Sequence, residues 1–346
     1  MSTETTNSSL STSGSPEPAL PSPEEVAPVR EALDRTLAEL DRILLGRHEL
    51  HRLVLAGILA RGHILLEGLP GLGKTALVKA VGDVLQLDFK RVQFTPDLMP
   101  GDILGAHILQ TAADGRREMV FQPGPVFCNV LLADEINRAS PKTQSAMLET
   151  MQERTVTLMG VTRPLPKPFF VLASQNPIEL EGTYPLPEAQ CDRFMLKVKI
   201  DYPKKEEEMK IVANHLIGMK TDLDPVMSSA EILEARKIVK QVYIDEKIQK
   251  YIIDIVFATR YPETYGMESL KDMIAYGASP RASINLALAA RAFAFLKHRG
   301  YVIPEDVRAI CPDVMRHRIG LSYEAEANNL TTEEVIAEIL NKVEVP

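Results

Sequence analysis

The stretch "GLPGLGKT" at residues 68–75 lies between an apolar run, "HILLE" (63–67), and a helical pattern, "KTALVKAVGDVLQ" (74–86). No other feature limits the possible folds as much. It fits G-x-x-x-x-G-K-[ST] in the strand–turn–helix context that gives this motif its meaning. Glycine at 71 and 73 lets backbone N–H groups approach phosphate oxygens with no Cβ in the way. The following helix points the positive end of its dipole at the same spot. Lys74 is expected to reach the β- and γ-phosphates and Thr75 to offer its hydroxyl to Mg2+. Gly68, Leu69, Pro70, Leu72 and Ala76 complete the expected cradle.

The surrounding pattern predicts where that turn sits. Further apolar runs, "FKRVQF" (89–94), "NVLLAD" (129–134), "FFVLAS" (169–174) and "FMLKVKI" (194–200), alternate with helical segments such as "PKTQSAMLETMQE" (141–153). Near-continuous apolar strands alternating with helices imply a parallel sheet covered on both faces. The prediction is therefore an α/β domain over residues 27–201, with a five-stranded parallel sheet between helices. Two helices, "VREALDRTLAELDRILLG" and "HELHRLVLAGILARG", lead into it, the second stopping at Gly62. From 202 to 346 the pattern becomes helical and predicts a separate all-helical domain. Residues 1–26 are rich in Ser, Thr, Pro and Glu and too poor in apolar residues to offset ordering entropy, so they read as a disordered tail.

Two more strand ends carry polar chemistry. Asp134 closes "NVLLAD" and can hold Mg2+ through water. Glu135 follows it and can orient the attacking water of a phosphoryl transfer, a reaction catalysed mostly by positioning and charge neutralisation. A solvated strand end capping the next helix is the plainer reading of these acids. Asn176, after "FFVLAS", alone reads as a turn residue before Pro177. Beside the other two motifs it reads as an amide near the γ-phosphate.

"ILLEGLPGLGKT", "FTPDLMPGDILG", "FQPGPVF", "LLADEINRASPKTQSAMLETMQE", "ASQNPIELEGTYPLPEAQCDRF" and "GASPRA" occur in this order over about residues 40–320. Together they resemble the signatures of the MoxR family of AAA+ ATPases. That resemblance implies an AAA+ core with a helical lid, ATP and Mg2+ as cofactors, ATP hydrolysis, homo-oligomeric rings (commonly hexamers) and chaperone-like remodelling of a protein client. Members often act with a protein carrying a von Willebrand factor A domain, in metal insertion or complex maturation. By the same resemblance, Lys74 and Thr75 match Walker A, Asp134 and Glu135 Walker B, Asn176 sensor 1, Arg193 the arginine finger and Arg281 sensor 2. Leu45 and Gly46, in "ILLG", match the segment beside the adenine. Cys191 departs from the family's usual aliphatic residue and is expected to pack beneath the finger.

Two insertions read as hairpins: 108–121, turning at Asp114-Gly115, and 155–165, turning at Met159-Gly160. The resemblance places them within helix 2 and before sensor 1, facing the ring's axial channel. Arg116, Arg117 and Arg163 are then candidates to grip a partner or to pack against a neighbouring subunit. Arg138 has three readings: facing a neighbour's nucleotide, capping the following helix or pairing with an acid. The seven histidines show no metal spacing, and His48 and His51 read as a solvated helix face.

The net charge is −8, about half of the excess acid lying in the tail, and the chain lacks Trp. These features argue against broad nucleic-acid binding. Three scattered cysteines give no disulfide framework and fit a reducing cytoplasm. There is no basic–apolar leader and no apolar run of membrane-spanning length. The alternatives kept beside the motor are a nucleotide-gated scaffold with slow hydrolysis and a magnesium-chelatase-like motor subunit.

Overall fold

The computed structural model describes residues 23–44, 46–111, 116–177, 183–216 and 222–346. Each of the five apolar runs forms a strand: β1 (Ile64–Gly68), β2 (Phe89–Gln93), β3 (Val130–Asp134), β4 (Phe170–Gln175) and β5 (Leu196–Ile200). They pair in the order β2-β3-β4-β1-β5, and every pairing is parallel. All five residues of β3 are buried, as a strand covered on both faces requires. The order matters for function. The chain leaves central β1 for the far edge, returns inward through β3 and β4, then crosses to β5. The carboxyl ends of β1, β4 and β3 thus lie side by side at the point where the order reverses, where open α/β sheets bind ligands.

Helices α1 (Pro23–Ile43) and α2 (His48–Leu59) precede the sheet, α3 (Lys74–Val84) follows β1, and α4 (Pro141–Glu153) follows β3. Helix α1 starts at Pro23, so residues 23–26 are helical rather than part of the tail, and Val26 is buried. The rest of that segment, 1–22, lies outside the described residues. Helix α2 ends at Leu59, three residues before Gly62, because Arg61 already takes a left-handed backbone at φ +63°.

Beyond Ile200 the chain is mainly helical: α5 (Lys205–Leu216), α6 (Ser229–Lys240), α7 (Glu246–Ala258), α8 (Pro280–Leu296), α9 (Pro304–Met315) and α10 (Thr332–Lys342). Capping fixes several starts. The Ser228 N–H donates to Glu231 Oε2 at 2.7 Å while the Glu231 N–H donates to Ser228 Oγ at 3.4 Å, and Thr331 and Glu334 repeat the arrangement. Helix α9 has no counterpart among the helical segments read from sequence, where Pro304 and Pro312 obscured it. Residues 261–276 form two short helical turns and a strand, Ile274–Tyr276.

The helical region shares apolar packing with the first helices of the chain. One apolar cluster runs from Leu33, Leu50, Val54 and Ile58 through Leu77 and Leu196 to Ile252, Leu286, Phe295 and Ile310, joining α1, α2 and α3 to the lid helices. A second cluster, with Phe94, Ile103, Leu131, Met147 and Phe194, fills the other face of the sheet. Helix α5 is the exception: Met209, Val212 and Leu216 are exposed, so these lid residues are not core.

Both insertions are hairpins. Gly105–Thr111 pairs with Arg117–Pro123, extending further than 108–121, while Asp114 and Gly115 lie outside the described residues. Thr155–Leu158 pairs with Val161–Pro164 across Met159 and Gly160, whose φ values of +51° and +77° suit a tight hairpin turn. The helix expected around the first insertion is reduced to Pro100–Leu104.

Candidate active site

The loop after β1 is shaped by backbone that only glycine adopts cheaply: Gly71 at φ +83° and Gly73 at φ +80°. A Cβ at Gly71 would meet nothing within 4 Å, whereas one at Gly73 would lie 2.8 Å from Leu44 Cδ2. The space before Gly71 is the cradle that a side chain would fill. No side chain caps α3, which leaves its first-turn N–H groups for a ligand. Lys74 is buried and its Nζ donates to the Gly68 carbonyl at 2.6 Å. Burial lowers its pKa, while Asp134 and Glu135 pull the other way. Thr75 is half-buried beside it, and Ala76 and Pro70 are exposed. This donor set fits a nucleoside triphosphate, with Thr75 and Asp134 as the hard oxygen groups a bound Mg2+ prefers.

Leu45 lies outside the described residues. Gly46 (φ +77°) is overhung by the lid: a Cβ there would stand 1.9 Å from Glu207 Oε1 on α5.

Asp134 is buried at the tip of β3 and accepts three hydrogen bonds. Ser174 Oγ donates to its Oδ1 at 2.5 Å, and Arg91 donates to its Oδ2 from Nε at 3.1 Å and Nη2 at 2.7 Å. Glu135 takes a left-handed backbone at φ +56°, which costs a non-glycine residue about 1 kcal/mol and marks a constrained position. Its N–H donates to Ser174 Oγ at 2.9 Å, which turns the side chain back toward β2. There Gln93 Nε2 donates to Oε2 at 2.7 Å, and Arg138 Nε approaches the same oxygen at 2.9 Å. Arg138 therefore pairs with an acid of its own chain. Asn176 follows β4 directly, and its carbonyl accepts from Asn137 Nδ2 at 3.4 Å. Gln175, at the end of β4, donates to Glu67 Oε1 at 2.7 Å, and Lys197 reaches the same oxygen at 2.7 Å.

Arg193 stands elsewhere. Ile64 pairs with Leu196 and Gly68 with Ile200, so Arg193 enters at the amino end of β5, a strand length from the phosphate loop. At roughly 3.3 Å per residue that is on the order of 15 Å. Its Nε is buried with no hydrogen-bond partner among the described residues. Arg281 is brought to the same end: its Nη1 lies 3.4 Å from Asp192 Oδ2, which also accepts from Ser279 Oγ at 2.9 Å. Arg318 closes the assembly, donating Nε to Asp192 Oδ1 at 2.8 Å and Nη2 to the carbonyls of Asp192 (3.1 Å) and Phe194 (2.5 Å). Cys191 is half-buried beside this turn, and burial pushes its thiol up to about 11. Lys74, Asp134 and Glu135 thus converge at one end of the sheet, and Arg193 and Arg281 at the other.

Sequence reasoning missed Arg91, Gln93, Ser174, Asp192 and Arg318. The alternation in "FKRVQ" puts Arg91 and Gln93 on one face of β2, but only the strand order reveals that this face meets Asp134 and Glu135. One reading of a single residue is corrected. His51 is fully buried with Nδ1 2.5 Å from the Asp41 carboxylate, so it is not on a solvated face, whereas His48, whose Nδ1 also reaches Asp41, is exposed. Arg163 lies over the Phe121 ring at 4.0 Å, clasping one hairpin to the other. Among the described residues no helix is long and apolar enough to cross a membrane.

Comparison with known proteins agrees with this fold. Residues 63–196 match the model of the ATPase family associated with various cellular activities, and residues 268–339 match the AAA lid domain. The chain is 46% identical to Chaperone MoxR1 of Mycobacterium tuberculosis over 315 residues, covering 91% of this chain and 82% of that protein. It is 42% identical to YeaC of Bacillus subtilis, an uncharacterized protein, covering 91% and 95%. It is 34% identical to the protein MoxR of Paracoccus denitrificans, covering 82% and 87%. A crystal structure of a proposed ATPase from Cytophaga hutchinsonii superposes with a TM-score of 0.87 at 45% identity, covering 93% and 97%.

Proposed function

The chain belongs to the MoxR family of AAA+ ATPases, and from that premise we propose that it is a ring-forming motor that hydrolyses ATP to remodel a protein client. One observation carries the reading: the buried Lys74, Asp134 and the strained Glu135 meet at the carboxyl edge of β1 and β3, while Arg193 is placed at the opposite end of the sheet. A chain built this way holds phosphates in one place and offers its finger in another.

In that role Gly71, Gly73 and the N-terminus of α3 bind the phosphates, Lys74 neutralises their charge, and Glu135 orients and deprotonates the attacking water. Asn176 holds that water from the neighbouring strand. Bound Mg2+, held through Thr75 and Asp134, supplies charge neutralisation at the phosphates. The residues of Leu45–Gly46 flank the base. Arg193 and Arg281, joined through Asp192, act together on the adjacent subunit's nucleotide, which favours action in trans for both. The ring is proposed to be a hexamer in the cytoplasm, with a von Willebrand factor A domain protein as the partner class and metal insertion or complex maturation as the task.

A second reading, a nucleotide-gated scaffold with slow hydrolysis, is favoured by the engagement of Glu135 by Gln93 and Arg138. One experiment separates them. Turnover per subunit is measured over a dilution series that spans ring dissociation, beside Glu135→Gln. A motor loses turnover as rings dissociate, since the finger contributes several orders of magnitude. A per-subunit rate that stays flat down to monomer rejects it, and a negligible rate in intact rings supports the scaffold.

A further inference from the structure

We propose that Arg91 is a built-in cation that occupies the Asp134 carboxylate and competes with an incoming divalent metal for it. This rests on the reading of residues 68–75, Asp134 and Glu135 as a Mg2+–nucleotide site.

The geometry is specific. Two N–H groups of the Arg91 guanidinium, at 3.1 and 2.7 Å, fill the acceptor directions of a single oxygen, Asp134 Oδ2. Ser174 takes Oδ1 at 2.5 Å. A carboxylate offers about four lone-pair directions, so a single one remains for a metal-bound water. A guanidinium is always charged, and its position beside the carboxylate places a positive charge next to the space a divalent cation would use. The two cations compete for one acid. Arg91 can leave without disrupting the core, since its side chain is 46% exposed on the edge strand β2.

Its departure has a consequence two residues on. Arg91 Nη2 also donates to Gln93 Oε1 at 2.8 Å, and Gln93 Nε2 donates to Glu135 Oε2 at 2.7 Å. One amide therefore joins the cation on Asp134 to the proposed base. When Arg91 leaves, Gln93 loses the bond that orients its amide, and its hold on Glu135 weakens. Arg138 Nε still holds the same oxygen at 2.9 Å, so the departure of Arg91 loosens Glu135 without freeing it.

The test is a binding measurement on the full chain. Affinity for a fluorescent, non-hydrolysable ATP analogue is measured from EDTA to millimolar free Mg2+ for the wild type, Arg91→Met, Arg91→Gln and Arg91→Lys. Removing the charge should lower the Mg2+ concentration at half-maximal enhancement by about tenfold. Arg91→Lys should stay near the wild type, and affinity in EDTA should change little in all four. A Mg2+ midpoint that is unchanged or raised in both Arg91→Met and Arg91→Gln overturns the proposal. A wild-type chain that binds no nucleotide, with or without Mg2+, overturns the proposed function and this inference together.

Discussion

Arg318 Nε donates to Asp192 Oδ1 at 2.8 Å, and the residue after that aspartate is Arg193. Arg318 is 3% exposed and belongs to the lid, so the turn that presents Arg193 is held by the lid and not by the sheet alone. Burial lowers the Arg318 pKa to about 10, against the pull of Asp192, which leaves it charged at neutral pH. Removing one partner of such a pair strands the other. Arg318→Met should cost about 3 kcal/mol in urea unfolding, and Asp192→Asn clearly less, because its amide oxygen still accepts from Arg318. Equal costs for the two would mean that the charge pair dominates over the carbonyl contacts of Arg318.

Arg193→Ala should bind ATP with nearly normal affinity and lose turnover by at least about a hundredfold. Mixing it with Glu135→Gln chains should restore part of the rate, since one chain then supplies the base and the other the arginine. Steady-state turnover against mixing ratio reads this out. A rate that stays at the sum of the two inactive parents, in rings shown to contain both chains, argues that Arg193 serves its own site.

The two loop glycines should fail differently. Each carries about 1 kcal/mol of backbone strain if changed to alanine. Gly71→Ala meets no atom within 4 Å, so thermal stability should fall little while ATP affinity falls about tenfold or more, because the new methyl enters the phosphate space. Gly73→Ala also presses on Leu44, 2.8 Å away, so it should lose more stability than Gly71→Ala. Differential scanning calorimetry with and without nucleotide separates the two effects.

His63 gives the fold a pH dependence with a defined sign. It is buried, with Nε2 donating to the Met151 carbonyl at 3.0 Å and Nδ1 accepting from the Val171 N–H at 2.9 Å. Burial, reinforced by Arg154, pushes its pKa down to about 4. The unfolded imidazole titrates near 6.5, so between these values the unfolded chain binds more protons and stability falls as pH falls. Relative to pH 7, His63 should cost about 2 kcal/mol by about pH 5. Urea midpoints from neutral to about pH 5 check this. His63→Gln should flatten the slope by that amount, and an unchanged slope would assign the acid sensitivity to other groups.

The parts legible in the sequence were those set by local pattern. The five strands follow from near-continuous apolar runs, and the phosphate loop from its own flanks, because each signal lies within a dozen residues. Helix α9 was hidden because Pro312 sits inside it, where proline normally argues against helix. The polar partners were hidden for another reason. Arg91 and Asp134 are 43 residues apart, and Asp192 and Arg318 are 126 apart. Nothing in the chemistry of a lone arginine says which acid the fold will bring to it. His51 was misread because one face of α2 is polar by composition yet turned inward onto Asp41.

The apolar cluster that runs from Leu50 and Val54 on α2 to Leu286 and Phe295 on α8 limits how relatives could exchange parts. The peptide between Ile200 and Lys205 is an easy place to splice a gene but not a seam in the packing. A hybrid joining this core to another member's lid would inherit two half-surfaces shaped by different histories. It would need the inward residues of α1 and α2 carried across with the lid. A working hybrid should therefore take the N-terminal helices together with the lid, although the sheet separates them in sequence.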